Sequence, residues 1–188
     1  MGFNSQFITT YRWRRNIGAG LEHLHINSCE NNIIISSVVI GENEGQQYGV
    51  QYTIICTSDW VVRSFTISNT QGHDLSLNSD GEGNWYNLDG SRRSGIGGAI
   101  DIDLSGTPFT NTLPIRRLDK HQKGYSQRFK VLYIPFDTLV PTLDRQQYTC
   151  LKPYSRYRYE PLARDYSTEL EVDGNGVVGN YPELFTRI

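Results

Sequence analysis

Apolar and polar residues alternate along most of this chain with a period of two, which places every second side chain on the same face of a β-strand. Residues 32–40 and 50–56 are rich in β-branched side chains, and residues 131–134 are almost continuously apolar, as in a strand buried on both faces. In residues 168–173, Thr, Leu and Val alternate with acidic residues, which predicts one buried and one exposed face. The pattern therefore predicts a mainly β protein.

Turn signals separate these runs. Glu-Gly or Asp-Gly pairs stand at residues 44–45, 80–81, 89–90 and 173–174, where glycine accepts a positive φ at little steric cost. Helical spacing is scarce, and its best candidates are residues 20–25 and a turn after Thr107, with Pro108 at its first position and Pro114 at its end. We therefore predict antiparallel hairpins with short helical elements.

The number of predicted strands, about ten, would leave exposed edges unless the sheet curls or closes. We predict a single domain over residues 1–188, with a large antiparallel sheet curled into a barrel-like or half-barrel shape around the helical elements. Residues 75–85 and 168–178 each place D-G-x-G between apolar runs, which would fit two related halves. The alternative is that Asp-Gly recurs because it forms good hairpin turns.

Composition narrows the classes of function. The 188 residues include 18 basic and 20 acidic side chains, a net charge of -2, which argues against nucleic acid as a partner. No apolar run reaches the roughly 18 residues of a membrane-spanning helix, and the start of the chain lacks the apolar core of a secretory signal. We expect a cytoplasmic protein without stable membrane insertion, and its oligomeric state stays open.

Signals for metals and cofactors are weak. Cys29, Cys56 and Cys150 are odd in number and widely spaced, which favours buried free thiols over a disulfide framework or a zinc site. His23 and His25 would share one face of a strand near Cys29, but no further ligand follows at zinc spacing. No phosphate-binding loop, nucleophile elbow or H-E-x-x-H motif occurs. We expect no metal and no cofactor, we assign no catalytic residue, and we favour a binding protein over an enzyme.

The densest group of distinctive residues lies in residues 101–118, DIDLSGTPFTNTLPIRRL. Alternation places Asp101 and Asp103 together on one strand face, and the following turn would return Arg116 and Arg117 to them. Arginine forks can neutralise paired carboxylates, either as a structural clamp around a kink or at the rim of a ligand site. Calcium is disfavoured because residue 112, the twelfth position of the loop, is Thr rather than Glu. Acid–base catalysis by the two aspartates is a further alternative.

Two other stretches carry candidate residues. Alternation places Arg63 among the apolar side chains of its strand, where it would either pair with an aspartate such as Asp101 or contact an anion in a cavity. In residues 154–160, YSRYRYE, the arginines share one face and Tyr157 and Tyr159 the other. The two tyrosines, like Trp13, either fill the core or line a cavity for sugar or headgroup oxygens.

The block TPFTNTLPIRRL preceded by DIDLS, Trp13 with the two following arginines, the D-W…R segment of residues 59–63 and the ending ELEVDGNGVVGNYPELF resemble the bacterial family of "Putative glycolipid-binding" proteins. The resemblance covers nearly the whole chain. It implies an antiparallel sheet partly wrapped around helical elements, similar to bacterial lipoprotein and lipid carriers, and it implies lipid binding through that likeness of shape. The matching positions are Trp13, Arg63, Asp101, Asp103, Thr110, Asn111, Arg116 and Arg117.

Our leading hypothesis is a lipid- or glycolipid-binding protein whose curled sheet encloses an apolar cavity for an acyl chain. Burial of such a chain would stabilise the complex by roughly 0.8 kcal/mol per CH₂ group. The alternatives are an enzyme that acts on a small polar or lipid-like substrate through Asp101 or Asp103, and a structural or partner-binding module without a ligand. The candidate ligand-binding residues are Trp13, Arg63, Asp101, Asp103, Asn111, Arg116, Arg117, Tyr157 and Tyr159.

Overall fold

The computed structural model describes residues 2–29, 31–43 and 45–188. Its strands are β1 (Phe7–Arg15), β2 (Gly20–Cys29), β3 (Asn32–Asn43), β4 (Gln46–Thr57), β5 (Val62–Asn69), β6 (Asp74–Ser79), β7 (Trp85–Tyr86), β8 (Asp101–Leu104), β9 (Ser126–Ile134), β10 (Thr142–Lys152), β11 (Arg156–Pro161), β12 (Thr168–Glu171) and β13 (Phe185–Arg187). A 3₁₀ turn (Phe109–Asn111) and helix α1 (Thr112–Arg116) lie between β8 and β9. Among the described residues, no helix has the length and apolar character needed to cross a bilayer.

The strands form two sheets. Sheet A has eight strands in the order β13-β1-β2-β3-β4-β5-β6-β7, and sheet B has five in the order β12-β11-β10-β9-β8. Neighbouring strands are antiparallel except β8 and β9, which are parallel. The predicted mainly β fold, with antiparallel sheets in a half-barrel arrangement around short helical elements, is confirmed.

Strand positions follow the alternation of the sequence. Residues 32–40 and 50–56 lie in β3 and β4, and residues 131–134 of β9 include three fully buried side chains. The expectation of helical structure at residues 20–25 is wrong, because these residues belong to β2. That strand pairs with β1 on one side and with β3 on the other, and backbone hydrogen bonding to two neighbours outweighs weak local helical spacing.

The two D-G-x-G loops have the same turn geometry. One carboxylate oxygen of Asp80 accepts hydrogen bonds from the backbone N–H groups two and four residues ahead, at 2.8 and 3.1 Å. Asp173 does the same at 2.9 and 3.1 Å. The repeat is therefore real at the level of these turns, although the sheets that contain them differ in strand number. Glu44, which we expected in another turn, lies outside the described residues.

The space between the sheets is filled by the chain itself. Residues 106–115 are all buried, and they pass between the inner face of sheet A and sheet B with Phe109, Leu113 and Ile115 fully enclosed. Side chains from both sheets join them in one hydrophobic core. Each large apolar side chain buried in this way stabilises the fold by about 1.5–3 kcal/mol. The interior that we expected to hold an acyl chain is thus occupied by residues 106–115 and the core around them.

The helical segment itself differs in two respects from the prediction. The N-cap is Pro108 rather than Thr107, although the Thr107 hydroxyl accepts a hydrogen bond from the backbone N–H of Phe109 at 3.0 Å. Pro114 does not end it, since α1 continues to Arg116. A proline in the first turn of a helix removes a backbone N–H that has no helical partner there, so the helix tolerates Pro114 at this position.

Candidate functional site

A partly enclosed cavity of about 320 Å³, here called the end cavity, lies beside the first residues of β4 and the turn that follows β8. It is lined by Arg15, Gln46, Gln47, Tyr48, Gln71, Ser105, Gly106, Tyr133, Pro135, Phe136, Asp137, Arg164 and Leu184. The volume falls near the lower end of the roughly 300–1,000 Å³ that small-molecule sites occupy in proteins. The cavity therefore has room for a group of limited size, such as one polar headgroup.

The floor of the end cavity is the turn that follows β8. The Ser105 hydroxyl in this turn accepts a hydrogen bond from the backbone N–H of Phe136 at 3.0 Å. Gly106 lies directly against the Phe136 ring, and a Cβ atom at this position would overlap that ring. Any larger residue at position 106 would displace Phe136, so glycine sets the depth of the cavity here.

The cavity wall combines aromatic rings with hydrogen-bonding side chains. Tyr48 and Phe136 contact each other edge to face at 5.7 Å between ring centroids, and burial raises the pKa of Tyr48, so its hydroxyl stays protonated. The glutamine amides and the Arg15 and Arg164 guanidinium groups surround these rings. Aromatic faces with amide and guanidinium groups at their edges bind the apolar face and the hydroxyl groups of a sugar.

A second cavity of about 290 Å³, the side cavity, shares Tyr133 and Arg164 with the end cavity. Two of the predicted ligand-binding residues, Asp103 and Tyr159, line it. Asp103 accepts hydrogen bonds from Gln146 at 2.6 Å and from the Thr110 hydroxyl at 3.1 Å. Burial nevertheless raises the pKa of Asp103. The shared residues make the side cavity an extension of the end cavity rather than a separate site.

A buried carboxyl group lies behind the floor of the end cavity. Glu22 of β2 accepts hydrogen bonds from Tyr52 at 2.6 Å, Ser37 at 2.8 Å and Thr107 at 2.5 Å. The Thr107 bond ties sheet A to the floor, since Thr107 follows Gly106 directly. Burial raises the pKa of Glu22 to about 7, against the opposing effect of the three hydroxyl donors.

A shallow groove of about 530 Å³ contains the residues at the other end of the 101–118 segment. It is lined in part by Trp60, Arg116, Arg117, His121 and Tyr154. The Arg116 guanidinium lies over the Trp60 ring at 4.6 Å from its centroid, a cation–π contact. Trp60 and Tyr154 both have positive φ angles, 65° and 56°, which are strained for large aromatic residues.

The predicted clamp of two aspartates and two arginines is only half present. Arg117 forms an ion pair with Asp101 at 2.7 Å, and Asp101 is only 1% exposed. Arg116 points elsewhere and donates to the backbone carbonyls of Asn4 and Asn175. Asp103 bonds to neutral side chains instead of an arginine. The clamp fails because Arg116, the last residue of α1, and Arg117, its C-cap, are consecutive in the chain and their side chains point to different sides.

The inward orientation predicted for Arg63 is wrong. A register shift between β4 and β5 breaks the alternation, so that Val62 and Phe65 face the core while Arg63 is exposed. Its guanidinium donates to the backbone carbonyl of Asp80, in the first D-G-x-G loop. Arg116 donates to the backbone carbonyl of Asn175 in the second loop, two positions further along the motif than Asp80 in the first. Both arginines therefore support a loop of the same design.

The remaining predicted residues lie in the core, away from the end cavity. The Trp13 indole donates to the Gly179 carbonyl at 2.8 Å, and Asn111 accepts from the Tyr148 hydroxyl at 2.9 Å. The Tyr157 hydroxyl lies 2.8 Å from His121, behind the groove that contains Arg116. The structure thus divides the candidates into three locations: Asp103 and Tyr159 in the side cavity, Arg116 and Arg117 in the groove, and the others outside both.

Sequence reasoning missed Glu22, Tyr48 and Arg164. A signal for Glu22 was present, because it alternates in phase with the buried residues Leu24 and Ile26 of β2. We interpreted residues 20–25 as helical, and a helical assignment does not use the two-residue alternation that places Glu22 on the buried face. Tyr48 and Arg164 carry no comparable signal, since one lies near a hairpin end and the other in a loop.

Metal ligands and thiols give no further site in the described part of the chain. It contains no cluster of three or more His, Cys, Asp or Glu side chains that could hold a metal ion. Cys56 and Cys150 are buried free thiols, as predicted, and burial raises the pKa of both. The side chain of Cys29 lies outside the description.

Comparison with known proteins agrees with this fold. Residues 10–187 match the model of the family described as "Putative glycolipid-binding". A crystal structure of a DUF1089 family protein from Pseudomonas aeruginosa superposes with a TM-score of 0.81 at 34% sequence identity, over 93% of this chain and 95% of that one. A search of curated proteins found no match.

Proposed function

The chain belongs to the "Putative glycolipid-binding" family, and on that premise we propose that it binds the polar headgroup of a glycolipid in the end cavity. The composition of the cavity wall carries this proposal. Aromatic rings, three glutamines and two arginines surround about 320 Å³. A sugar ring presents both an apolar face and several hydroxyl groups, so it can use the rings and the polar side chains together.

The side cavity extends the surface available to the headgroup. Arg164 stands between the two cavities, with Tyr133 beside it and Asp103 beyond. A second sugar unit or a phosphate next to the first sugar could contact Arg164 in a bidentate way. Asp103 accepts hydrogen bonds readily and would favour hydroxyl groups over a second anion.

We propose a different position for the acyl chain of the lipid from the one predicted from the sequence, which was inside the curled sheet. Residues 106–115 and the core fill the interior, so the chain of the lipid would lie outside the half-barrel. Affinity for an isolated headgroup is then limited to the contacts of the cavity. The protein would recognise the sugar end of the lipid rather than enclose the whole molecule.

Titration with short-chain amphiphiles tests this proposal. We expect octyl glucoside, below its micelle concentration, to bind and to raise the melting temperature, whereas octanol should do neither. Arg164→Gln should weaken binding about tenfold or more, the loss expected from one charge-assisted hydrogen bond. Gln47→Ala should weaken it less, and Arg156→Gln, on the exposed face of β11, is the matched control.

Native mass spectrometry of protein purified from cells gives an independent measurement. A co-purified lipid that carries a sugar would support the proposal. Equal stabilisation by octanol and octyl glucoside would contradict it, because the alkyl chain alone would then account for binding. Absence of any shift with a panel of glycosides of different sugars, together with lipid-free protein, would also reject it.

A further inference from the structure

The outer face of β1, β2 and β3 combines exposed aliphatic side chains with cations. We call it the basic–aliphatic face. Its outward residues include Ile8, Thr10, Arg12, Arg14, Leu21, His23, His25, Asn27, Asn32, Ile34, Ser36, Val38 and Ile40. Among the described residues of these three strands, Glu42 near the end of β3 is the one acid in phase with them, against the two arginines of β1. In a chain with net charge -2, this face is therefore locally positive.

The aliphatic residues of this face are exposed and adjacent. Ile8, Leu21, Ile34, Val38 and Ile40 are between 41% and 61% exposed. The strand register places Leu21 directly opposite Ile40, while Val38 and Ile34 lie on the same side of β3. Clustered exposed apolar side chains on a folded protein mark a surface that another molecule covers.

The arginines of the face are available for an external partner. Within the described residues, Arg14 makes no side-chain hydrogen bond or ion pair, and Arg12 donates only through Nε, to His23 at 3.1 Å. Their terminal nitrogens can therefore contact anions outside the protein. Arg12 lies beside His23, and Arg14 lies beside Leu21, so charge and apolar surface alternate across the strands.

We propose that the basic–aliphatic face docks on the surface of an anionic lipid bilayer. Arginine guanidinium groups would contact lipid phosphates, and the aliphatic side chains would enter the headgroup region. A second copy of this chain is a poorer partner, because two such faces would bring arginines against arginines. A broad sheet face also suits a planar surface better than a single extended peptide.

The position of the face relative to the end cavity supports this partner. A depression of about 260 Å³ contains Ile40 of the face together with Gln47 and Tyr48, and both of these also line the end cavity. Docking through the face would therefore bring the cavity to the membrane surface. Bilayer docking itself does not require an occupied cavity, so it can be tested without a glycolipid.

Vesicle sedimentation without added glycolipid tests the docking. We expect binding to vesicles of phosphatidylcholine mixed with phosphatidylglycerol, little binding to phosphatidylcholine alone, and weaker binding as salt is raised. Arg12→Gln with Arg14→Gln should weaken binding about twenty-five-fold, at about fivefold for each arginine. Val38→Ser with Ile40→Ser should weaken it about fivefold or more by removing inserted apolar surface.

Controls with equal changes of charge or hydropathy complete the experiment. Arg92→Gln with Arg93→Gln removes two exposed arginines that lie off this face, and Val140→Ser with Leu162→Ser removes two exposed aliphatics. Both should bind vesicles like the wild type, and thermal unfolding should show that all variants are folded. Equal losses in the controls, or no preference for anionic vesicles, would overturn the proposal. So would a dimer in sedimentation velocity that Val38→Ser with Ile40→Ser dissociates.

Discussion

Glu22 and Asp101 are both buried acids in the same core, but the structure surrounds them differently. Glu22 accepts hydrogen bonds from three neutral hydroxyl groups, and no cation of the described residues pairs with it. Asp101 forms an ion pair with Arg117, while its other carboxylate oxygen has no partner among the described residues. Burial raises the pKa of both, and only at Asp101 does a neighbouring positive charge oppose it.

The difference shows two ways in which a fold accommodates a buried acid. Hydroxyl donors stabilise an ionised carboxylate less than desolvation destabilises it. Glu22 therefore takes up a proton near neutral pH, and the neutral acid avoids the free-energy cost of a buried charge. An arginine offsets the charge directly, but the aspartate then depends on that one partner. Glu22 should therefore respond to pH, whereas Asp101 should respond to loss of Arg117.

Removal of Arg117 should give the largest effect. Arg117→Met retains apolar contacts but leaves the Asp101 carboxylate buried without its cation, and we expect a loss of about 3 kcal/mol in the free energy of unfolding. Urea denaturation at pH 7 measures this loss. Asp101→Asn in the same background should recover most of it, since the uncompensated charge is gone. If Arg117→Met alone unfolds with a free energy within about 0.5 kcal/mol of the wild type, Asp101 does not depend on the ion pair.

Glu22→Gln should change the pH dependence of stability. The folded-state pKa of Glu22, about 7, lies above its ordinary value of 4.5, so the folded protein holds this proton more tightly than the unfolded chain. The wild type should therefore lose stability as pH rises from 4.5 through 7. Because one pKa unit corresponds to about 1.4 kcal/mol, Glu22→Gln should be more stable than the wild type by up to about 3 kcal/mol at pH 8 and similar at about pH 4.

Denaturation of both proteins across this range measures the difference directly. The difference between the two stability curves isolates Glu22 from the other titrating groups. Parallel curves would show that the three hydroxyl donors keep Glu22 ionised, contrary to the raised pKa. Tyr52→Phe sharpens the result, since the loss of one donor should raise the pKa of Glu22 further.

Glu169→Gln should have the smallest effect. Its ion pair with Arg156 spans 3.5 Å on the outer face of sheet B, with both side chains almost half exposed. Solvent screens such pairs, so we expect a change below about 0.5 kcal/mol in the free energy of unfolding. This variant removes one carboxylate, as Glu22→Gln does, and serves as its charge-matched control. A change above 1 kcal/mol in the free energy of unfolding would mean that burial does not explain the different effects of the Glu169 and Glu22 substitutions.

Much of the fold could be predicted because strand alternation is a local property. Residues 32–40 and 50–56 carry β-branched side chains in the right phase, and both became neighbouring strands of sheet A. Arg63 was misplaced because it lies at a register shift that separates the phase of Val62 from that of Phe65 and Ile67, and such a shift leaves no mark in the composition. The split into two sheets also depends on non-local pairing.

The candidate site was harder to predict because its walls come from distant parts of the chain. Arg15, Tyr48 and Arg164 meet at the end cavity from β1, β4 and the loop after β11. The conspicuous 101–118 segment does reach two surface sites, but its middle fills the core. Its density of chemical groups reflects the polar contacts that a buried irregular segment needs, as the Thr107 and Asn111 bonds illustrate.

The order of strands in sheet A has a consequence for how the protein is made. From β1 to β7, each strand pairs with the next one in the sequence, so the meander can form during synthesis, hairpin by hairpin. Its inner side would stay wet until residues 106–115 emerge and cover it. We predict that a ribosome-bound chain stalled after β7 binds a hydrophobic dye, because the inner face of sheet A is still exposed. A chain stalled after β9 should bind less dye, because residues 106–115 then cover that face. Equal dye binding by the two chains would contradict this order of folding.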